Sequence, residues 1–219
     1  MSLTVFGAPL SPFVRKVRLY LGQREMDYQL EIVMPFGQPE WYYGLSPLGR
    51  IPALKDDDLA LADSSVICQY LEEQYPGGTL YGSNAADSAK IRWLEKYADY
   101  ELAPLTTFVV FRNRVLKPMT GGKPNEEAIH ETLENQLPKH FDYLEKALGE
   151  QDFFVGNSLS MADIAFTCQI INMNHGGEQI AQSRWPKLHA LAERIKAMPF
   201  VQSILQGEAK ILDKIRGTR

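Results

Sequence analysis

Apolar and polar positions alternate in "SLTVF", where Leu3 and Val5 stand against polar neighbours, and that period of two predicts a strand. After Pro12 the spacing changes. Val14, Val17 and Leu21 recur at the three- and four-residue steps of a helix face. "DYQLEIV" returns to period two through Tyr28, Leu30 and Ile32. A loop rich in Pro and Gly follows, with helical turns expected around "PEWYYGL". "IPALKDDDLALAD" reads as a hairpin of two short strands around an Asp56–Asp58 turn. "DSSVICQYLEEQYP" places Val66, Ile67, Tyr70 and Leu71 on one helix face, which Pro76, Gly77 and Gly78 end. The opening β-α-β requires a right-handed crossover and a parallel pair, and the hairpin adds antiparallel strands beside it. A small mixed sheet with helices on its faces is the expected result.

After "YPGGTLYGSNAAD" the strand signal disappears. Helical patterns run from about Asp87 to Leu116, Asn125 to Leu148, Ser160 to Asn174, Pro186 to Ala197, and on from Phe200. Pro138 is expected to kink or split the second of these. The fold class is therefore α/β followed by all-α, with domains over residues 1–78 and 86–219.

The chain of 219 residues carries a net charge of −4, with acidic and basic residues interspersed, which argues against a sequence-independent nucleic-acid binder. No apolar run reaches the roughly 18 residues that span a bilayer. The start "MSLTVFGAPL" lacks the basic segment and apolar run of a signal peptide. Cys68 and Cys168 are far apart, outside any C-x-x-C, and sit on apolar helical patterns, so buried thiols in a reducing cytoplasm are expected. The four histidines show no ligand spacing, and no metal is expected.

Three short stretches carry candidate chemistry. Ser11 precedes Pro12 at a helix start, where its hydroxyl can cap the first turn or serve a ligand. Pro52 opens a strand; if its peptide is cis, the turn leaves the backbone of Ile51 facing outward for an extended peptide, and if trans it is an ordinary strand start. Ser64 opens a second helix, where it can cap or bind a carboxylate, and Asp63 beside it can pair with an ammonium. The Asp56–Asp58 run reads as a solvated turn rather than a metal site.

Together, "SPFVRKVRL" at 11–19, "GRIPAL" at 49–54, "ADSSVI" at 62–67 and "GNSLSMADIAF" at 156–166 resemble the cytosolic glutathione transferases over essentially the whole length. The likeness is to serine-type, theta/zeta/delta-like bacterial members. The resemblance implies a thioredoxin-like first domain with a cis proline at Pro52, an all-helical second domain, a homodimer, and glutathione as co-substrate. It implies that Ile51 pairs with the cysteinyl part of glutathione and that Asp63 and Ser64 take the γ-glutamyl end. Arg50 and Gln38 would approach the glycine end, and Phe13 the thiol.

Such an enzyme must present a thiolate, whereas a free thiol titrates near 8.5. A hydroxyl donating to sulfur at a helix N-terminus lowers that value, and Ser11 stands four residues before Arg15 as in serine-type members. Thiol-exchanging relatives carry Cys where Ser11 stands, tyrosine-type relatives an N-terminal Tyr that "TVFG" lacks, and the maleylacetoacetate isomerase branch S-S-C-x-x-x-R where this chain has "PLSPFVR". The expected reaction is conjugation to a soft electrophile. Isomerisation, reduction, or a non-catalytic binding or regulatory role are the alternatives. Phe108 and Phe111, three apart on one helix, with Leu10, Phe13 and Phe36 opposite, are candidates for an electrophile pocket between the domains. Arg112 and Arg114 read as a solvated face. Ser160 and Asp163 have the spacing of a capping box, with Leu159 and Ile164 as its hydrophobic staple.

Overall fold

A computed structural model describes residues 3–217, so the Ser2 end of the first expected strand lies outside the described residues. The strands β1 (Leu3–Phe6), β2 (Tyr28–Glu31), β3 (Ala53–Asp56) and β4 (Leu59–Ala62) form one sheet in the order β2-β1-β3-β4. β1 and β2 are parallel, joined by helix α1 (Pro12–Gln23); β1–β3 and β3–β4 are antiparallel. Helix α2 (Ser64–Gln74) follows β4, and a short 3-10 turn, Glu40–Gly44, occupies the long β2–β3 loop. Val14, Val17 and Leu21 of α1 are fully buried, as are Ile67, Cys68 and Leu71 of α2.

The structure corrects the expectations in three places here. Val66 is 47% exposed and leaves the buried face of α2, where Cys68 takes the inward position. β2 ends at Glu31, so the alternation stops; Ile32 is exposed and Val33 is buried instead. Asp56 does not belong to a solvated turn. It is the last residue of β3, buried, and its carboxylate accepts from the hydroxyls of Tyr70 at 2.7 Å and Tyr75 at 2.6 Å. Both tyrosines are more reluctant to ionise as a result, Tyr70 being pushed up to about 12 chiefly by its bond to Asp56. Only Asp57 and Asp58 form the exposed tip.

The contacts divide the chain into two compact units, Met1–Leu80 and Tyr81–Arg219. The second unit is helical. Its first long helix runs through α3 (Ala85–Tyr97), a π-helical stretch Ala98–Leu102, α4 (Ala103–Leu105), a π-helical stretch Thr106–Leu116, and α5 (Lys117–Met119). The next runs through α6 (Glu126–Glu131), a π-helical stretch Thr132–Gln136, and α7 (Leu137–Leu148). Then come α8 (Met161–His175), α9 (Pro186–Lys196) and α10 (Pro199–Gly217). Pro138 neither splits nor ends its helix. Pro104, Pro118 and Pro138 each occupy the second position of an α-helical segment that follows a π-helical one. Proline lacks the N–H for an i→i−4 bond and its ring crowds that carbonyl, so a wider preceding turn relieves both conflicts.

α8 forms the hydrophobic centre of this unit, nearly all of it buried. Its capping box forms: Asp163 Oδ2 accepts from the Ser160 N–H at 2.9 Å and the Ser160 hydroxyl at 2.6 Å, and Oδ1 accepts from the Phe154 N–H at 2.8 Å. Burial pushes the Asp163 carboxyl up to about 6 despite those donors. Arg114 is not part of a solvated face. It donates to Glu126 at 2.9 Å, to the Gly176 carbonyl at 3.0 Å and to Glu178, because the chain on both sides of α8 returns to meet it.

Candidate active site

The strand register brings three loops to one end of the sheet. Phe6, the last residue of β1, stands opposite Ala53, the first of β3, and Ala53 stands opposite Ala62, the last of β4. The segments 7–11, 51–52 and 63–64 therefore leave the sheet side by side. Gly7 shows how close the first two are. A Cβ there would lie 2.4 Å from Val14 Cγ2 and 3.3 Å from Ile51 Cβ, so only glycine lets the β1–α1 turn pass.

Ser11 is the N-cap of α1, with extended backbone and Pro12 at the first helical position. Its Oγ accepts from the Val14 N–H at 3.4 Å, and its N–H donates to the Ala8 carbonyl at 3.0 Å. The cap uses a lone pair and leaves the hydroxyl proton to point elsewhere. Ser11 and Phe13 are half-buried, and Leu10 is buried.

The Ile51–Pro52 peptide is cis. The residues before it are held by side chains of the β2–β3 loop. Tyr42 and Ser46 hydroxyls donate to the Arg50 carbonyl at 2.9 and 2.7 Å, and the Arg50 N–H donates to Ser46 Oγ at 3.1 Å. Gln38 Nε2 donates to the Gly49 carbonyl at 2.6 Å. Tyr42 is fully buried against Phe6, Val33 and Ala53, with Ile51 packed on the same cluster. Burial pushes its phenol up to about 12, so it stays a donor. The Arg50 side chain is exposed. Sequence reasoning missed Tyr42 and Ser46. "EWYYGLS" gives no periodicity to single out the aromatic that turns inward.

Asp63, rather than Ser64, caps α2: its Oδ1 accepts from the N–H groups of Ser65 at 2.9 Å and Val66 at 3.2 Å. Its φ of 78° is uncommon for a residue other than glycine, and such backbones gather at ligand sites. Ser64 is the first helical residue and is buried, and its amide is one of the first-turn N–H groups that have no acceptor within the helix.

The apolar candidates separate. Phe36 is 68% exposed on the β2–β3 loop. On the helical unit Phe108 is 52% exposed, whereas Phe111 is buried with its ring centroid 6.4 Å from that of His175. The π-helical pitch of Thr106–Leu116 explains the split, since three residues no longer share a face when the turn is wider. Both cysteines are buried, and neither is in a disulfide. Among the described residues no three His, Cys, Asp or Glu side chains gather as metal ligands, and no helix is long and apolar enough to cross a membrane.

The chain is similar to known proteins along most of its length. A family model described as the N-terminal domain of glutathione S-transferase matches residues 5–79, and one for the C-terminal domain matches residues 111–207. A glutathione S-transferase 3 of Zea mays is 32% identical over 74% of this chain and 73% of its own length. A protein of Vibrio cholerae named probable maleylacetoacetate isomerase is 27% identical over 91% of this chain and 93% of its own. A solved glutathione S-transferase from Rhodospirillum rubrum F11 superposes with a TM-score of 0.84 at 27% identity, covering 93% of this chain and 91% of that one. The chain belongs to the glutathione S-transferase family.

Proposed function

We propose that the chain conjugates glutathione to a soft, hydrophobic electrophile by attack of the glutathione thiolate. The observation that carries this reading is the meeting of a capped helix start, a cis-proline loop and an acid-capped second helix start at one end of the sheet. In this reading the γ-glutamyl carboxylate binds at Ser64 on the first turn of α2, where the Ser64 amide and the helix dipole favour an anion. Its ammonium pairs with Asp63. The backbone of Ile51 pairs with the cysteinyl residue, and Pro52 fixes that edge. Arg50 faces the glycine carboxylate, while Gln38 supports the same end through Gly49. Phe13 lies along the cysteinyl side chain. The Ser11 hydroxyl donates to sulfur while its lone pair continues to cap α1. Of the apolar candidates, Phe36 and Phe108 are exposed and open to an electrophile, whereas Leu10 and Phe111 are buried, each within its own unit. A homodimer working in cytoplasmic detoxification completes the reading, as is usual in the family.

A second reading keeps the thiolate and replaces conjugation by glutathione-dependent isomerisation. Its support is the likeness to the Vibrio cholerae protein and to a protein of Pseudomonas aeruginosa named maleylacetoacetate isomerase, 27% identical over 84% of this chain.

An ultraviolet difference titration of bound glutathione from pH 5 to 9 tests the shared step. Ionisation mostly complete by pH 7 is the expected result, and Ser11→Ala should raise the midpoint by about one unit, near 1.4 kcal/mol. Binding without ionisation would sink the catalytic reading. Turnover of a chlorinated nitrobenzene against turnover of maleylacetoacetate then separates the two reactions.

A further inference from the structure

The residues before Pro52 form a hydrogen-bonded chain that ends on one N–H. Gln38 Nε2 donates to the Gly49 carbonyl at 2.6 Å, and the N–H of the same peptide unit, that of Arg50, donates to Ser46 Oγ at 3.1 Å. The Ser46 hydroxyl in turn donates to the Arg50 carbonyl at 2.7 Å, where Tyr42 adds a second hydroxyl at 2.9 Å. Each group that accepts becomes a better donor through its own peptide unit or hydroxyl, so the bonds strengthen one another along the chain. The last unit in it carries the Ile51 N–H.

The direction of that N–H follows from peptide geometry. The 50–51 bond is trans, the cis bond being the one after it, so its C=O and N–H point opposite ways. The carbonyl turns toward Tyr42 and Ser46, both buried, and the N–H therefore turns away from them. Ile51 precedes β3, which begins at Ala53, and its backbone makes no hydrogen bond among the described residues. Pro52 has no N–H and that of Arg50 is taken by Ser46, so Ile51 holds the one donor of residues 50–52 that a ligand can use.

We propose that Tyr42 and Ser46 are positioning residues for the cysteinyl part of glutathione. Through the Arg50 carbonyl they aim and polarise the Ile51 N–H, which donates to the cysteinyl carbonyl. This rests on the glutathione reading above and assigns that reading two residues that act without touching the ligand.

The test compares glutathione with an analogue whose cysteinyl–glycine amide is replaced by an (E)-alkene of the same shape, by calorimetry on the full chain. The wild type should prefer glutathione. Tyr42→Phe keeps the buried ring and should weaken glutathione about threefold while leaving the analogue unchanged. Equal weakening of both ligands would reduce Tyr42 to a packing residue of the loop, and no weakening of either would also overturn the proposal. Ser46→Ala should lower the preference for glutathione, and Ser46→Thr, which keeps the hydroxyl, should retain it. If Tyr42→Phe shows no cooperative unfolding transition, this second pair decides, and the same preference in both variants overturns the proposal. A wild type that binds both ligands equally lacks the Ile51 bond and overturns this proposal alone. One that binds neither defeats the glutathione reading itself.

Discussion

Gly7 is the residue on which the candidate site depends most directly. Its missing side chain lets the β1–α1 turn lie against both Val14 and Ile51, and an added methyl group would meet Val14 Cγ2 at 2.4 Å. Gly7→Ala should therefore cost about 1–3 kcal/mol in chemical denaturation and weaken glutathione binding, since relief requires Ser11 and Ile51 to move apart. Neither the glycine nor its neighbours announce this in the sequence. "VFGAPL" reads as a strand end followed by a turn, and the close approach exists only once the sheet is assembled. The opposite holds for Ser11, whose cap was legible because Ser-Pro is a local signal and the structure uses it locally.

At the scale of elements, the capping box of α8 yields a pH dependence. In the folded chain the Asp163 carboxyl titrates at about 6, against an ordinary 3.8, because burial outweighs its hydrogen bonds. Between those values the folded state holds more protons than the unfolded one. The stability associated with this group is thus fully present below about pH 3.8 and is lost as pH rises through about 6. The unfolding free energy of the wild type from urea titrations should fall across that window through this group by on the order of 3 kcal/mol at most, and Asp163→Asn should remove that component of the slope. The box itself was visible as Ser160-Met-Ala-Asp163, a pattern with a three-residue reach. The π-helical stretches were not, because a wide turn leaves no signature beyond the proline after it. That is why Phe108 and Phe111 read as a pair although the structure exposes one and buries the other.

Across the whole molecule, what escaped sequence reading are side chains whose partners lie far along the chain. Arg114 reads as one of two surface arginines, yet it joins Glu126, Glu178 and the Gly176 carbonyl. Arg114→Met should lower the thermal midpoint by a few degrees, the effect of losing about 1–2 kcal/mol from a half-buried cluster, and Arg112→Met should leave it nearly unchanged. Asp56 escaped in the same way, since its tyrosines come from the following helix and the residues after it. The strands, by contrast, were legible from short local segments, and their register separates the two ends of the first unit. Ala53 and Ala62 pair at the end that holds the candidate site; Asp56 and Leu59 pair at the other, closed by Asp57 and Asp58. That distant tip offers an attachment point: a fluorophore or a surface tether joined between Asp57 and Asp58 would report on the protein from the end of the hairpin remote from the three loops, with the turn's own charges keeping the joint in water.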